Sequence, residues 1–396
     1  MNRVFGWTAA ALLALPVSGC WSKLELNDRS FITSAYVDVG ERPGEVTLTI
    51  GSPLPNRLIS TGGGTDSSGN EGQAFTSDTQ SAATIPEALA EIQKDLTRKL
   101  TWGQIRAVIV SEEYASQNGL QEVLEWISRN PSFPLRTYFF VSEGQARKIM
   151  ELTPVYERSP SEVLRKFGNR RFIPPVTVKD LAVVSAAGVG IAVPVLRTGK
   201  KPLVSEKGKE SNWVGISGGA MIQDMRMKGR LEMRESKVVG WTKGRINEPM
   251  YDLLSETGKF HFRLNHLKAK ISPSILSHGD IVCRVQLRAE ATLEYAMSDE
   301  DISRSAELHK LEREMNASIV SDLKSALDKS QSIGADILAL GRQLEWRYPR
   351  QWARMKDKWP QAYGDEVRFK VQANVRVTHM DAEHKPMWSI QEAGAP

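Results

Sequence analysis

Two thiols, Cys20 and Cys283, are the cysteines of this 396-residue chain, and their surroundings suit different chemistry. Cys20 closes the tetrapeptide Val17-Ser18-Gly19-Cys20, which follows Asn2-Arg3 and an apolar stretch from Val4 to Val17. A positive tip, an apolar segment and small residues before a cut form the pattern of a secretory signal. The stretch is too short to cross ~30 Å of hydrocarbon as a stable helix. Ser18 and Gly19 let the chain enter a peptidase cleft in extended form, and the Cys20 thiol is then the nucleophile for diacylglyceryl transfer. We therefore expect a lipoprotein-type signal peptide over residues 1–19, cleavage between Gly19 and Cys20, and lipid on Cys20. A second acyl chain on the freed amine makes anchoring durable, since one chain alone binds only marginally. The alternatives are an ordinary signal peptide with a chance cysteine, or an uncleaved anchor.

Other chemistry is hard to find. With Cys20 lipidated, Cys283 has no partner and a disulfide framework is excluded. The histidines are His261, His266, His278, His309, His379 and His384, and none has the spacing of a zinc hydrolase helix. There is no Gly-x-Ser-x-Gly elbow. Gly188-Val189-Gly190 lacks the third glycine of a dinucleotide loop, and Pro194 interrupts any helix after it. Acids such as Glu307, Glu312 and Glu314 belong to a helix surface, and no pair stands out for glycoside cleavage. No catalytic residue, cofactor or metal is expected. The formal charge of +5 is spread along the chain without basic runs interleaved with aromatics, which argues against nucleic acid and suits a surface near anionic lipid.

The elements that must hold this scaffold are legible in part. Val46, Leu48 and Ile50 alternate with Thr47 and Thr49 as a strand, and a flexible loop is expected over 60–73, where Gly62-Gly63-Gly64 and Ser67-Ser68-Gly69 fall. Thr84 and Glu87 open a helix whose apolar residues share one face. A buried strand follows over 105–110, a helix over 120–128, a strand over 135–141 and a helix over 143–152. Ser159-Pro160-Ser161-Glu162 and Thr177-Val178-Lys179-Asp180 are further helix starts. Alternating helix and strand predicts an α/β layer.

The polar stretch Arg197 to Asn212 marks the expected boundary: an N-terminal mixed α/β domain over 20–200, a linker over 201–212, and a C-terminal α+β domain over 213–392, either whole or divided into two subdomains. In the latter, Trp213 to Ile222 and Val238 to Trp241 read as strands around a turn near Lys228-Gly229. Ile281 to Glu294 alternates strictly, as does Val367 to Thr378, so two long strands are expected to pair, with Cys283 pointing inward. Between them a long helix carries Leu308, Leu311, Met315, Ile319, Leu323 and Leu327, with a kink at Gly334. Trp346, Trp352, Met355 and Trp359 read as packing between a short helix and a sheet. The fold class is α/β and α+β: several small mixed α/β domains, with an antiparallel-rich sheet and a long helix in the C-terminal half.

Taken in order, these stretches resemble the Ger(x)C family, the lipoprotein C subunits of spore nutrient germinant receptors. The resemblance rests on Gly19-Cys20-Trp21, Glu25-Leu26-Asn27-Asp28, Arg129-Asn130-Pro131, Val238-Val239-Gly240-Trp241, Ala335 to Gly341, Tyr348-Pro349-Arg350-Gln351-Trp352 and Lys358-Trp359. Ser22 departs from the acidic residue often seen there. The resemblance implies a non-enzymatic subunit on the outer face of the cytoplasmic, or spore inner, membrane. Its partners would be membrane lipid through Cys20 and the integral membrane A and B subunits. Only Cys20 receives a role, thioether to diacylglycerol and amide to a fatty acid. A solute-binding lipoprotein of a transport system is the alternative function, and a cell-envelope hydrolase is a third.

Overall fold

The computed structural model describes residues 25–54, 73–202, 210–276, 279–298 and 305–380. The signal segment, Gly19, Cys20 and nearly all of the loop expected over 60–73 lie outside the described residues.

The strands of the first half are β1 (Arg29–Phe31), β2 (Ser34–Val39), β3 (Val46–Pro53), β4 (Phe75–Ala82), β5 (Lys99–Thr101), β6 (Ala107–Ser111), β7 (Tyr138–Ser142), β8 (Ile191–Pro202), β9 (Glu210–Gln223) and β10 (Arg226–Leu231). Eight of them form one sheet in the order β10-β9-β8-β7-β6-β2-β3-β4, and β1 pairs with β5 beyond it. The centre, β2, β6, β7 and β8, is parallel, and hairpins close both flanks. Parallel strands need cover on both faces, which is why Ala107–Ser111 is buried throughout rather than alternately. On one face Val37, Val108, Val110 and Phe139 meet α1 (Ile85–Asp95), α3 (Gln121–Ser128) and α5 (Val178–Ala187). Behind β6 the short α2 (Glu112–Gln117) starts on a Ser111 cap. On the other face Tyr36, Ile109 and Phe140 pack on Ile149, Met150 and Leu164, the last from α4 (Pro160–Arg170).

Local signals decide the helix starts unequally. The Thr84 side chain accepts from the Glu87 N–H, and Thr177 with Asp180 completes a reciprocal capping box. Ser159 does not cap; its Oγ lies 3.0 Å from Ser161 Oγ. The expected helix over 143–152 is a 3-10 turn, Ala146–Glu151, whose first N–H groups donate to Asp38 Oδ1 and Oδ2 at 2.6 and 3.0 Å. Lys200, Lys201 and Pro202 pair with Asn212, Ser211 and Glu210, so strand pairing reaches both described ends of the stretch expected as a linker.

In the second half α6 (Met233–Thr242) leads to β11 (Met250–Ser255), β12 (Gly258–Ile275) and β13 (Ile281–Ser298). Then come α7 (Ser305–Ser332), α8 (Leu340–Arg347), α9 (Pro349–Met355), α10 (Trp359–Asp365) and β14 (Val367–Met380). The sheet order is β11-β12-β13-β14, with β13 and β14 parallel, so the two alternating segments do pair. The α7 residues Leu311, Met315, Ile319 and Leu323 and the inward residues Cys283, Val285 and Leu287 are fully or almost fully buried. The outer edge of β14 is covered by α7 side chains. Val375 N–H donates to Asn316 Oδ1 at 2.8 Å, and Val377 N–H to Glu312 Oε1 at 2.9 Å. A long open edge is thereby denied to other strands.

Two expectations change here. Val238–Trp241 is helical, because Glu232 and Glu235 form a capping box ahead of it. That helix is buried almost all round, which erases the one-sided apolar stripe that marks a helix in sequence. Gly334 does not kink α7 but follows its end, at φ 65°, with Pro360 carbonyl oxygen 2.9 Å from where a Cβ would stand.

Candidate functional site

The described chain enters beside the end of the first sheet at which its central strand β2 begins. Leu26–Asp28 make an exposed 3-10 turn, held by Asp28 N–H donating to Glu25 carbonyl at 3.1 Å. Then β1 runs beside β5, Ile32 N–H donates to Thr101 carbonyl, and Arg106 N–H donates to Thr33 carbonyl, each at 2.9 Å. These bonds fix Glu25 at the end of the sheet where β2, β6 and β7 begin. Cys20 precedes Glu25 by five residues, about 17 Å of extended chain at most. Leu26, 73% exposed, is an apolar side chain already turned to solvent there.

The motif near the C-terminus builds a buried polar hub. Asp336 is fully buried, and its carboxylate accepts from Leu340 N–H and Gly341 N–H at 2.8 Å each and from Trp359 Nε1 at 3.0 Å. It therefore caps α8 and ties α10 to it. Burial raises its pKa, against the hydrogen bonds that favour the anion. Lys243 sits beside it, donating to Ile337 carbonyl at 3.0 Å; desolvation lowers its pKa to about 8. Trp352 and Trp359 meet edge to face at 5.2 Å, and Trp359 also meets Tyr363. Trp346 leaves the expected aromatic group: it is 74% exposed, under the Arg342 guanidinium. Two more ties hold α6 against α7 and the second sheet. Glu235 accepts from Lys329 and Ser325 of α7, and Trp241 Nε1 donates to Lys268 carbonyl. Gly240 admits no side chain, since Pro174 and Ile246 would lie within 2.7 Å of its Cβ.

Reactive groups are not gathered. Cys283 is fully buried, and desolvation pushes its thiol up to about 12. His261, His266 and His309 sit in separate surface pairs with Asp252, Glu290 and Glu312. Among the described residues no three His, Cys, Asp or Glu side chains come together to hold a metal, and no helix is long and apolar enough to cross a membrane. Two open polar clefts indent the first sheet. One, about 640 Å³, is lined by Thr49, Ser77, Arg147, Glu151 and Asn212. The other, about 570 Å³, is lined by Arg106, Arg136, Tyr138, Glu162, Arg165 and Asn169. Residues so far apart in sequence form no motif, and the second cleft was not visible before the fold.

This three-layer sheet joined to a helix-backed second sheet is a known arrangement. The crystal structure of the GerBC protein superposes with a TM-score of 0.56 over 87% of this chain and 97% of that one, at 18% identity. The profile described as Spore germination protein N-terminal domain matches residues 22–198, and that of Spore germination B3/ GerAC like, C-terminal, matches 217–381. Spore germination protein KC of Bacillus subtilis (strain 168) is 21% identical over 95% of both chains. Spore germination protein YndF of the same organism is 21% identical over 93% of this chain and 94% of its own. The chain belongs to the Ger(x)C family of spore germination proteins.

Proposed function

We propose that this chain is the lipid-anchored C subunit of a spore nutrient germinant receptor. It is cleaved before Cys20, carries a diacylglyceryl thioether and an amide-linked fatty acid there, and stands on the outer face of the cytoplasmic (spore inner) membrane. Its work is non-enzymatic: it supports the response to nutrients as scaffold and signalling partner of the integral membrane A and B subunits. The observation that carries the reading is the order of the two family segments, 22–198 and 217–381, beginning directly behind a lipidation-type cysteine. The boundary proposed at residues 201–212 lies between the two segments, and strand pairing crosses it.

The physical gain from an anchor is concentration. Holding the chain on the membrane turns an encounter in three dimensions into one on a surface, which raises partner occupancy without any new contact. A rigid body with a buried thiol and scattered histidines suits that task. Changing Cys20 to Ala should release the protein from the membrane fraction and weaken nutrient germination, while the thermal midpoint of the released chain stays that of wild type. Unaltered membrane retention and germination would contradict the proposal.

A further inference from the structure

We propose that the arginine cleft on the anchor-side edge of the first sheet is a phosphate site that takes the headgroup of an anionic phospholipid. Arg106 lies directly ahead of β6, and Arg136 and Tyr138 stand at the start of β7. The opposite wall is α4, with Glu162, Arg165 and Asn169. Three guanidinium groups thus meet one carboxylate. Arg106 Nη1 lies 2.5 Å from Glu162 Oε1, which accounts for that charge.

Among the described residues Arg136 and Arg165 have no ion-pair partner. The Nε of Arg165 is shut away from solvent and has no hydrogen-bond acceptor. A buried guanidinium donor without an acceptor is unfavourable, and an oxygen ligand relieves it. Tyr138 O–H donates to Asn169 Oδ1 at 2.7 Å, which leaves the Asn169 amide Nδ2 as a further donor. Forked N–H donors of this kind match a tetrahedral phosphate in pairs, as a single ammonium does not.

Position selects the source of the phosphate. Arg106 N–H donates to Thr33 carbonyl, and Thr33 lies at the junction of β1 and β2, on the edge where the chain enters. Leu135, 55% exposed, adjoins Arg136, and Leu26 is exposed on the entering chain. Apolar tips beside free guanidinium groups are what a bilayer interface accommodates, and anionic headgroups attract basic residues only within about a Debye length. The inference rests on the lipid-anchor reading, since the Cys20 lipid is what would bring this edge to headgroup level.

The test uses the mature lipoprotein extracted from its membrane and reconstituted into vesicles of a phosphate-free glycolipid. Modification of Arg165 by phenylglyoxal is followed by mass spectrometry in these vesicles alone, with phosphatidylglycerol added, and with inorganic phosphate instead. Phosphatidylglycerol should slow modification of Arg165, and Arg136→Gln should weaken that protection by about fivefold, the share of one arginine near an anionic surface. Protection by inorganic phosphate but not by phosphatidylglycerol would overturn the headgroup assignment. Equal modification in all three media would overturn the site. Protein that fails to float with any vesicle would contradict the anchor reading instead, and the inorganic phosphate arm would still decide whether the cleft takes phosphate.

Discussion

Replacing Asp336 with Ala removes the acceptor for three buried donors at once: Leu340 N–H, Gly341 N–H and Trp359 Nε1. The lost N-cap of α8 costs about 1 kcal/mol. The Trp359 indole N–H, in a side chain 1% exposed, would be left without a partner, at about 1–3 kcal/mol more. The void left by the carboxylate adds a smaller cost. Against this stands relief from burying an anion, which is real because burial raises the Asp336 pKa. The net expectation is a loss of about 2–4 kcal/mol. Asp336→Asn keeps an oxygen for one or two of the donors and should lose roughly half as much. Urea denaturation of the purified protein, followed by tryptophan fluorescence, reads both. A change under about 0.5 kcal/mol for Asp336→Ala, the range of an ordinary surface substitution, would refute the structural role given to this hub.

Two other predictions concern titration. Cys283, with its thiol pushed up to about 12, should resist iodoacetamide at pH 8 in the native protein and react promptly once the protein is unfolded in urea. Fast native labelling at that position would show that the thiol is not in the core. Although burial opposes it, Arg245 and Thr177 hold the Asp180 pKa below the usual range, and Lys329 and Ser325 do the same for Glu235. Both acids bind fewer protons folded than unfolded, so their stabilisation is present above about pH 4.5 and fades as the pH falls through their folded pKa values. The thermal midpoint should drop on acidification, and less steeply in Asp180→Asn with Glu235→Gln; parallel curves would contradict the assignment.

How far the sequence revealed this arrangement depended on exposure. Strict alternation over Ile281–Glu294 and Val367–Thr378 marked β13 and β14, because one face of that sheet meets solvent and the pattern survives. Thr84 and Thr177 marked helix starts because a cap is a local bond. The helix over Met233–Thr242 was hidden, since Val238, Val239, Gly240, Trp241 and Thr242 are all buried and no polar face remains to reveal the period. The pairing of β8 with β9 was hidden for the opposite reason: the polar run from Arg197 to Asn212 reads like any linker. As for sites, the proposed anchor at Cys20 is argued from four contiguous residues, while the arginine cleft depends on the starts of β6 and β7 meeting α4 and left no local trace.

The anchor is tested most directly by the intact mass of the amino-terminal peptide of protein extracted from spore membranes. The expected peptide begins at Cys20 and is heavier than its sequence by a diacylglyceryl group and a fatty acyl group. A free Cys20 thiol, or a chain still beginning at Met1, would contradict it.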